Sequence, residues 1–187
     1  MAGTDLLTLM RERRSRPALV APGPDAAQLR ELLVAACAAP DHGRLRPWRF
    51  IVVDGPARER LGEAFAAATG ERNPAAGSNE LARARTKPLR APLIVVVVAT
   101  PLPHPRVTMR EQRAAAACVA HGLVLAAHAS GVAVPARAPH SADAAAVRAH
   151  LGLADAEELT GFIYLGTPSG PTPAPRAPVE PPVTWLS

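Results

Sequence analysis

Three consecutive residues near the N-terminus have side chains that bind phosphate. Arg13, Arg14 and Ser15 follow directly on an apolar stretch with the character of a helix. Two guanidinium groups and a hydroxyl can hold a phosphate dianion by charge-assisted hydrogen bonds. Arginines are also favourable at the C-terminal end of a helix with no ligand, because the helix dipole leaves partial negative charge there. The spacing alone leaves both interpretations open.

A second candidate segment carries an imidazole and an indole. Residues 39–42 read Ala-Pro-Asp-His and residues 47–50 read Pro-Trp-Arg-Phe. Loops between regular elements commonly carry binding residues, and His42 lies in such a loop. Two interpretations of His42 stay open, contact with a ligand or capping of local backbone. Trp48 lies just before the following strand and is expected to anchor that strand in the core rather than to stack on a ligand.

A third group lies at helical spacing later in the chain. Cys118, His121 and His128 share one helix face, and their side chains are of types that bind transition metals. Leu125 is on the same stripe and no carboxylate is near in sequence, so packing or an exposed seam is the favoured interpretation and no metal site is expected. Cys37 and Cys118 lack the CxxC spacing of a redox or zinc motif and are expected to be buried thiols.

The composition limits the class of protein. The 187 residues carry a formal net charge of +5, and 48% are hydrophobic but only 3% aromatic. This predicts one domain over residues 1–187 with a core of Ala, Val and Leu. The longest apolar run, 93–99, is far shorter than the roughly 20 residues that cross a bilayer. Dispersed positive charge and scarce aromatic residues argue against nucleic-acid binding, and the lack of a recognisable signal peptide predicts a cytoplasmic location.

The elements that position these residues follow from the apolar periodicity. Helices are predicted from residue 4 or 5 to the arginine pair, and over 24–39, 56–69, 80–86, 110–130 and 142–150. Strands are predicted over 50–53, 93–99 and 161–165, with a weak extended segment at 132–134 and loops over 41–47 and 70–79. The tail, 167–187, holds seven prolines among 21 residues and should be extended or disordered unless it docks. The expected architecture is α+β, a small mixed sheet with helices on both faces.

Five segments, taken in order, resemble the small single-domain FMN-dependent nitroreductases. They are Arg-Arg-Ser at 13–15, Ala-Pro-Asp-His at 39–42, Pro-Trp-Arg-Phe at 47–50, Arg-Ala-Pro at 90–92 with its strand, and Tyr-Leu-Gly-Thr-Pro at 164–168. The resemblance covers nearly the whole chain. It implies an α+β nitroreductase-like fold, a homodimer with the long helix near the subunit interface, and one FMN at each interface.

The resemblance also assigns roles to individual residues. It implies that the segment at 13–15 holds the FMN phosphate and ribityl chain. His42 corresponds to a flavin-contacting position that the partner subunit contributes. Arg137 matches an arginine near the flavin that follows the long helix, and Arg176 in the tail matches an additional phosphate contact.

In that family NAD(P)H gives a hydride to N5 of bound FMN and leaves, and an acceptor such as a nitroaromatic or a quinone takes its place. The resemblance therefore implies a ping-pong oxidoreductase with FMN as cofactor and NAD(P)H as reductant. Because the flavin carries the chemistry, no catalytic side chain is expected. The alternative is a flavin-binding or flavin-storing relative with little reductase turnover.

Three alanines depart from the family pattern. Close relatives have an arginine at the position of Ala38, and they have tryptophan and serine at the positions of Ala136 and Ala138 on either side of Arg137. A cationic contact, an aromatic wall and a hydroxyl are therefore missing together. The sequence predicts weaker, exchangeable FMN binding.

Overall fold

The computed structural model describes residues 5–16, 19–132, 136–137, 144–171, 174, 177 and 179–186. The helices are α1 Leu6–Glu12, α2 Ala26–Ala36, α3 Ala57–Arg72, α4 Ser78–Thr86, α5 Met109–Ala129 and α6 Ala145–His150. The strands are β1 Leu19–Val20, β2 Trp48–Asp54, β3 Leu93–Ala99, β4 Ala136–Arg137, β5 Glu158–Leu165 and β6 Thr167–Pro168. The predictions for residue 4, for 133–134 and 142–143, and for Ala138 and Arg176 fall outside the described ranges.

The main sheet has the order β2-β3-β5-β4, and among the described strands every pairing is antiparallel. The predicted α+β class is confirmed, but the strand directions are corrected from mixed to antiparallel. The reason lies in the connection between β2 and β3, where two successive helices, α3 and α4, carry the chain away and back. The start of β3 therefore lies beside the end of β2, with Leu93 opposite Asp54.

Strand β3 is the centre of the fold and confirms the expected burial on both faces. All seven of its residues are buried. Its alternating side chains divide between two apolar clusters, since Ile94, Val96 and Val98 join α3 and α6 on one face. Leu93, Val95 and Val97 pack with α2 and α5 on the opposite face. Helices on both faces of the sheet are thus confirmed.

Small residues let α2 and α5 approach closely. A Cβ atom placed on Gly122 of α5 would lie 3.4 Å from the Cα and carbonyl oxygen of Ala36 on α2. Trp48 is half-buried and packs against the apolar cluster between the sheet and helices α2 and α5, as expected of a strand anchor. Bulkier side chains at this contact would push the two helices apart.

Several local features differ from the sequence predictions. Cys37 and Cys118 are exposed rather than buried, because Cys37 terminates α2 and Cys118 lies on the outer face of α5. The predicted loop over 70–79 is shorter, since α3 continues to Arg72 and α4 begins at Ser78. The pairing of β1 with β6 was not predicted. It ties the start of the tail to the chain after α1, with the Thr167 hydroxyl donating to Pro22 O at 2.8 Å.

Candidate functional site

The arginine cluster lies where α1 ends against α5. Arg13 is the C-terminal cap of α1 and has left the helical conformation, with φ −55° and ψ 123°. Arg13, Arg14 and Arg16 are half-buried and Ser15 is exposed. Two of the predicted phosphate ligands are thus set into the surface, and the hydroxyl of the third faces solvent.

Backbone carbonyls hold Arg14 and Arg16 in place. Arg14 Nη1 donates to the carbonyls of Arg11 and Arg13, the latter at 3.0 Å. Its Nε donates to Ala174 O at 3.4 Å, and Arg16 Nη1 donates to Pro171 O at 3.2 Å. The tail therefore contacts the cluster at Pro171 and Ala174.

His128 lies on the last turn of α5, and the charges of this surface change its pKa. Burial lowers its pKa, and the charges of Arg13, Arg16 and Arg14 lower it further, partly opposed by Glu12. The side chains of α1 and the following segment thus gather positive charge at one end of α5. A phosphate dianion fits this surface, because its charge would neutralise the clustered cations.

His42 lies in a constrained turn between α2 and β2. The turn spans His42–Arg44, with Gly43 at φ 78°, and Asp41 Oδ2 accepts a 2.7 Å hydrogen bond from the backbone N–H of Arg46. A Cβ on Gly43 would approach Val107 Cγ2 at 3.2 Å. Left-handed backbone and close packing together restrict this turn to glycine at its centre.

The imidazole of His42 contacts the first turn of α5. His42 Nδ1 lies 3.1 Å from Glu111 Oε1. The second oxygen, Oε2, accepts 2.8 Å hydrogen bonds from the backbone N–H and the hydroxyl of Thr108. These Thr108 bonds, followed by the bond to His42, lower the pKa of Glu111 to about 2. The Thr-x-x-Glu capping pattern was visible in the sequence, but its pairing with His42 was missed.

The two candidate sites lie at opposite ends of α5. Glu111 marks the end beside His42 and His128 marks the end beside the arginine cluster, positions about 26 Å apart at 1.5 Å per residue. Within one subunit, His42 and the arginine cluster are therefore well separated along α5.

A groove of about 510 Å³ lies between the end of α2 and the middle of α5. Its walls include Ala38, Pro40, Ala117, Cys118 and His121. The small side chains leave it open, and Ala38 is itself exposed. Within the described ranges, no three His, Cys, Asp or Glu side chains come together as metal ligands.

Two arginine–glutamate ion pairs connect β2 and α5 to the start of β5. Arg49 makes two hydrogen bonds with Glu157, Nε to Oε1 at 2.6 Å and Nη2 to Oε2 at 2.7 Å. Arg113 on α5 binds Glu158 at 2.6 Å. Each arginine lowers the pKa of the carboxyl group that it contacts.

Two further arginines were predicted as flavin or phosphate ligands. Arg137 lies in β4, where its backbone pairs opposite Phe162 of β5. Arg176 is outside the described residues. Among the parts of the chain that are described, no helix has the length and apolar character needed to span a membrane.

Comparison with known proteins gives a consistent result. The model of the Nitroreductase family matches residues 10–167. An Escherichia coli protein named "Putative NAD(P)H nitroreductase YdjA" is 38% identical over 166 residues, which cover 88% of each chain. A Haemophilus influenzae protein named "Putative NAD(P)H nitroreductase" is 34% identical over 164 residues, covering 87% of this chain and 88% of its own.

Solved structures share the fold. A nitroreductase-like family protein from Bacillus cereus has a TM-score of 0.82 at 22% identity, covering 96% of this chain and 94% of its own. A nitroreductase with bound FMN from Bacteroides fragilis has a TM-score of 0.75 at 21% identity, covering 98% and 100%. Fold, matched length and sequence identity agree that this chain belongs to the nitroreductase family.

Proposed function

We propose that this protein is a single-domain, cytoplasmic FMN-dependent oxidoreductase. It takes a hydride from NAD(P)H and passes it to a small organic acceptor such as a nitroaromatic or a quinone, in a ping-pong sequence. The observation that carries the proposal is the cluster of half-buried arginines at the end of α5, whose positive charge would suit the phosphate of FMN. A flavin mononucleotide bound there would supply hydride acceptance and donation at N5.

The residues of this chain then bind and orient rather than react. Arg13 and Arg14 would neutralise the phosphate, and Ser15 would donate or accept a hydrogen bond at its edge. Arg137 is proposed near the ring system and Arg176 as a further phosphate contact. Carbonyl contacts keep Arg14 in place before the cofactor arrives, which lowers the entropy lost on binding.

The separation of His42 from the arginines supports a homodimer. Two α5 helices that cross antiparallel about a two-fold axis place the first turn of one beside the last turn of the other. Ala114, Ala117, Cys118 and His121 are exposed and lie on one face of α5 near its middle, where such a crossing would bring the two helices together. In such a dimer the arginines of one subunit bind the phosphate of a flavin, and the partner's His42 contacts the same flavin. The two-fold symmetry gives two such sites.

A flavin-binding protein with little turnover is the second candidate, and Ala38 is the observation that favours it. Its methyl group lines an open groove, at a position where the family resemblance implies an arginine. Loss of that cation, together with the alanines at 136 and 138, would weaken FMN binding. The pocket over the flavin would also be wider and would favour bulky acceptors.

Absorption spectra of the purified protein test both candidates. A bound-flavin spectrum after addition of FMN, followed by bleaching with NADH or NADPH under anaerobic conditions, is expected for the oxidoreductase. Bound flavin that resists bleaching would favour the second candidate instead. Absence of bound flavin at saturating FMN, or a stable monomer by light scattering at micromolar concentration, would contradict the proposal.

A further inference from the structure

The carboxylate of Glu111 has two distinct sets of neighbours. Oε2 accepts from the backbone N–H and the hydroxyl of Thr108, each at 2.8 Å, and these bonds fix the carboxylate at the start of α5. Oε1 lies 3.1 Å from His42 Nδ1 on a segment 69 residues earlier in the chain. One side chain thus caps a helix and contacts the proposed flavin ligand.

The scaffold around this contact is well fixed. Gln112, the next residue, is 2% exposed and exchanges two hydrogen bonds with the backbone of Leu102, at 2.7 and 3.0 Å. His104 Nδ1 accepts from the backbone N–H of Val107 at 3.1 Å. The loop before α5 and the first turn of the helix therefore hold Glu111 in one position.

An ionised carboxylate has only acceptor atoms, so the hydrogen between Glu111 and His42 belongs to the imidazole. In the neutral ring a hydrogen on Nδ1 leaves Nε2 with a lone pair, and the partner of one nitrogen sets the state of the other. The His42 side chain is 62% exposed, so its second nitrogen is accessible from outside the subunit.

We propose that Glu111 is a positioning residue that holds His42 as the Nδ1–H tautomer and presents Nε2 as a hydrogen-bond acceptor to the flavin of the partner subunit. This inference rests on the proposed function. The group that His42 recognises is then a donor, either a ribityl hydroxyl or the N3–H of the isoalloxazine ring. The proposal explains why an exposed histidine is fixed from a different element of the fold.

Glu111→Gln separates positioning from capping. Glutamine at this position also completes a capping box, so α5 keeps its start and its melting temperature should change little. Its amide oxygen replaces the oxygen bound to Thr108, which turns the NH₂ group toward His42. The imidazole must then accept at Nδ1 and carry its hydrogen on Nε2, the opposite tautomer. Glu158→Gln is the matched control, because it removes a carboxylate bound to Arg113 of the same helix without touching His42.

Nitrogen-15 NMR of histidine-labelled, cofactor-free protein at about pH 8.5 reads the tautomer directly, since histidine rings are ordinarily neutral there. The His42 signals are assigned from a His42→Gln variant. Wild type and Glu158→Gln should carry the hydrogen on Nδ1, and Glu111→Gln should carry it on Nε2. In a parallel titration, Glu111→Gln should raise the Kd for FMN about threefold to tenfold, the value of one neutral hydrogen bond.

Two results would overturn the inference. One is the same His42 tautomer in wild type and Glu111→Gln, and the other is a reversed tautomer with unchanged FMN affinity. Either result, with FMN affinity still dependent on Arg14, would leave the proposed function standing. If wild type binds no FMN, the proposed function fails as well.

Discussion

Replacement of Arg14 by alanine tests the phosphate site most sharply. Arg14 is half-buried, and its guanidinium is held by carbonyls of α1 and of the tail. The change removes one charge-assisted hydrogen bond to the FMN phosphate, worth roughly 1.5–3 kcal/mol. This energy corresponds to about a tenfold to a hundredfold increase in the Kd for FMN.

Riboflavin provides the internal reference, because it has the same ring and ribityl chain and lacks the phosphate. Any rearrangement of the tail in Arg14→Ala should affect both flavins, so the ratio of the two Kd values isolates the phosphate contribution. Titration followed by flavin fluorescence measures both. In wild type, the Kd for FMN divided by the Kd for riboflavin should also rise toward one as salt is raised, because the partly exposed cations become screened.

Arg11→Ala is the matched control. Arg11 is exposed on the last turn of α1, and its loss changes the net charge by the same amount. Only a small change in FMN affinity is expected for it. Equal losses of FMN and riboflavin affinity in Arg14→Ala, or equal losses of FMN affinity in the two variants, would refute the assignment of Arg14 to the phosphate.

Three further outcomes are expected. Gly62→Ala should lower the melting temperature by an amount equivalent to about 1–3 kcal/mol, because the new Cβ meets a backbone carbonyl of α4. Gly70→Ala, whose new Cβ lies in open space on the same helix, should not; equal melting temperatures of the two variants would contradict this packing. Ala38→Arg combined with Ala136→Trp should tighten FMN binding by roughly 2–4.5 kcal/mol if the contributions add, and titration showing tight wild-type binding with no gain would contradict the importance of these positions. The ion pair with Arg49 lowers the pKa of Glu157 below 4.5. The pair therefore stabilises the fold above about pH 4.5, and this stabilisation is lost as the pH falls below that value. Glu157→Gln should melt at a lower temperature than wild type at pH 7 and lose less stability on acidification, and melting temperatures that change in parallel with pH would refute this.

The sequence was most informative where burial is strongest. Strand β3 has the predicted bounds, because a continuous β-branched run has no stable placement outside the centre of a sheet. Helix α5 was predicted within one residue at each end. Its start is encoded locally by the capping box and its end by the glycine at 131, so no long-range information was needed.

The arrangement of elements that are distant in sequence could not be predicted from local patterns. The strand directions depend on how α3 and α4 return the chain, and apolar periodicity does not encode this. The contact between His42 and Glu111 joins segments that no local pattern connects. The exposure of Cys37 and Cys118 was mispredicted because thiols are ordinarily among the most buried side chains, whereas both lie on surfaces that the rest of the described chain leaves uncovered.

A heterodimer measures most directly whether each flavin site is shared between two subunits. One subunit carries Arg14→Ala, the other carries His42→Ala, and different affinity tags isolate the mixed dimer. If one subunit supplies the arginines and the other supplies His42, both defects fall in the same site and the second site is intact. The heterodimer should then bind one FMN with wild-type affinity. If both residues act within their own subunit, each site has one defect, and the absence of any tight site would contradict the shared flavin.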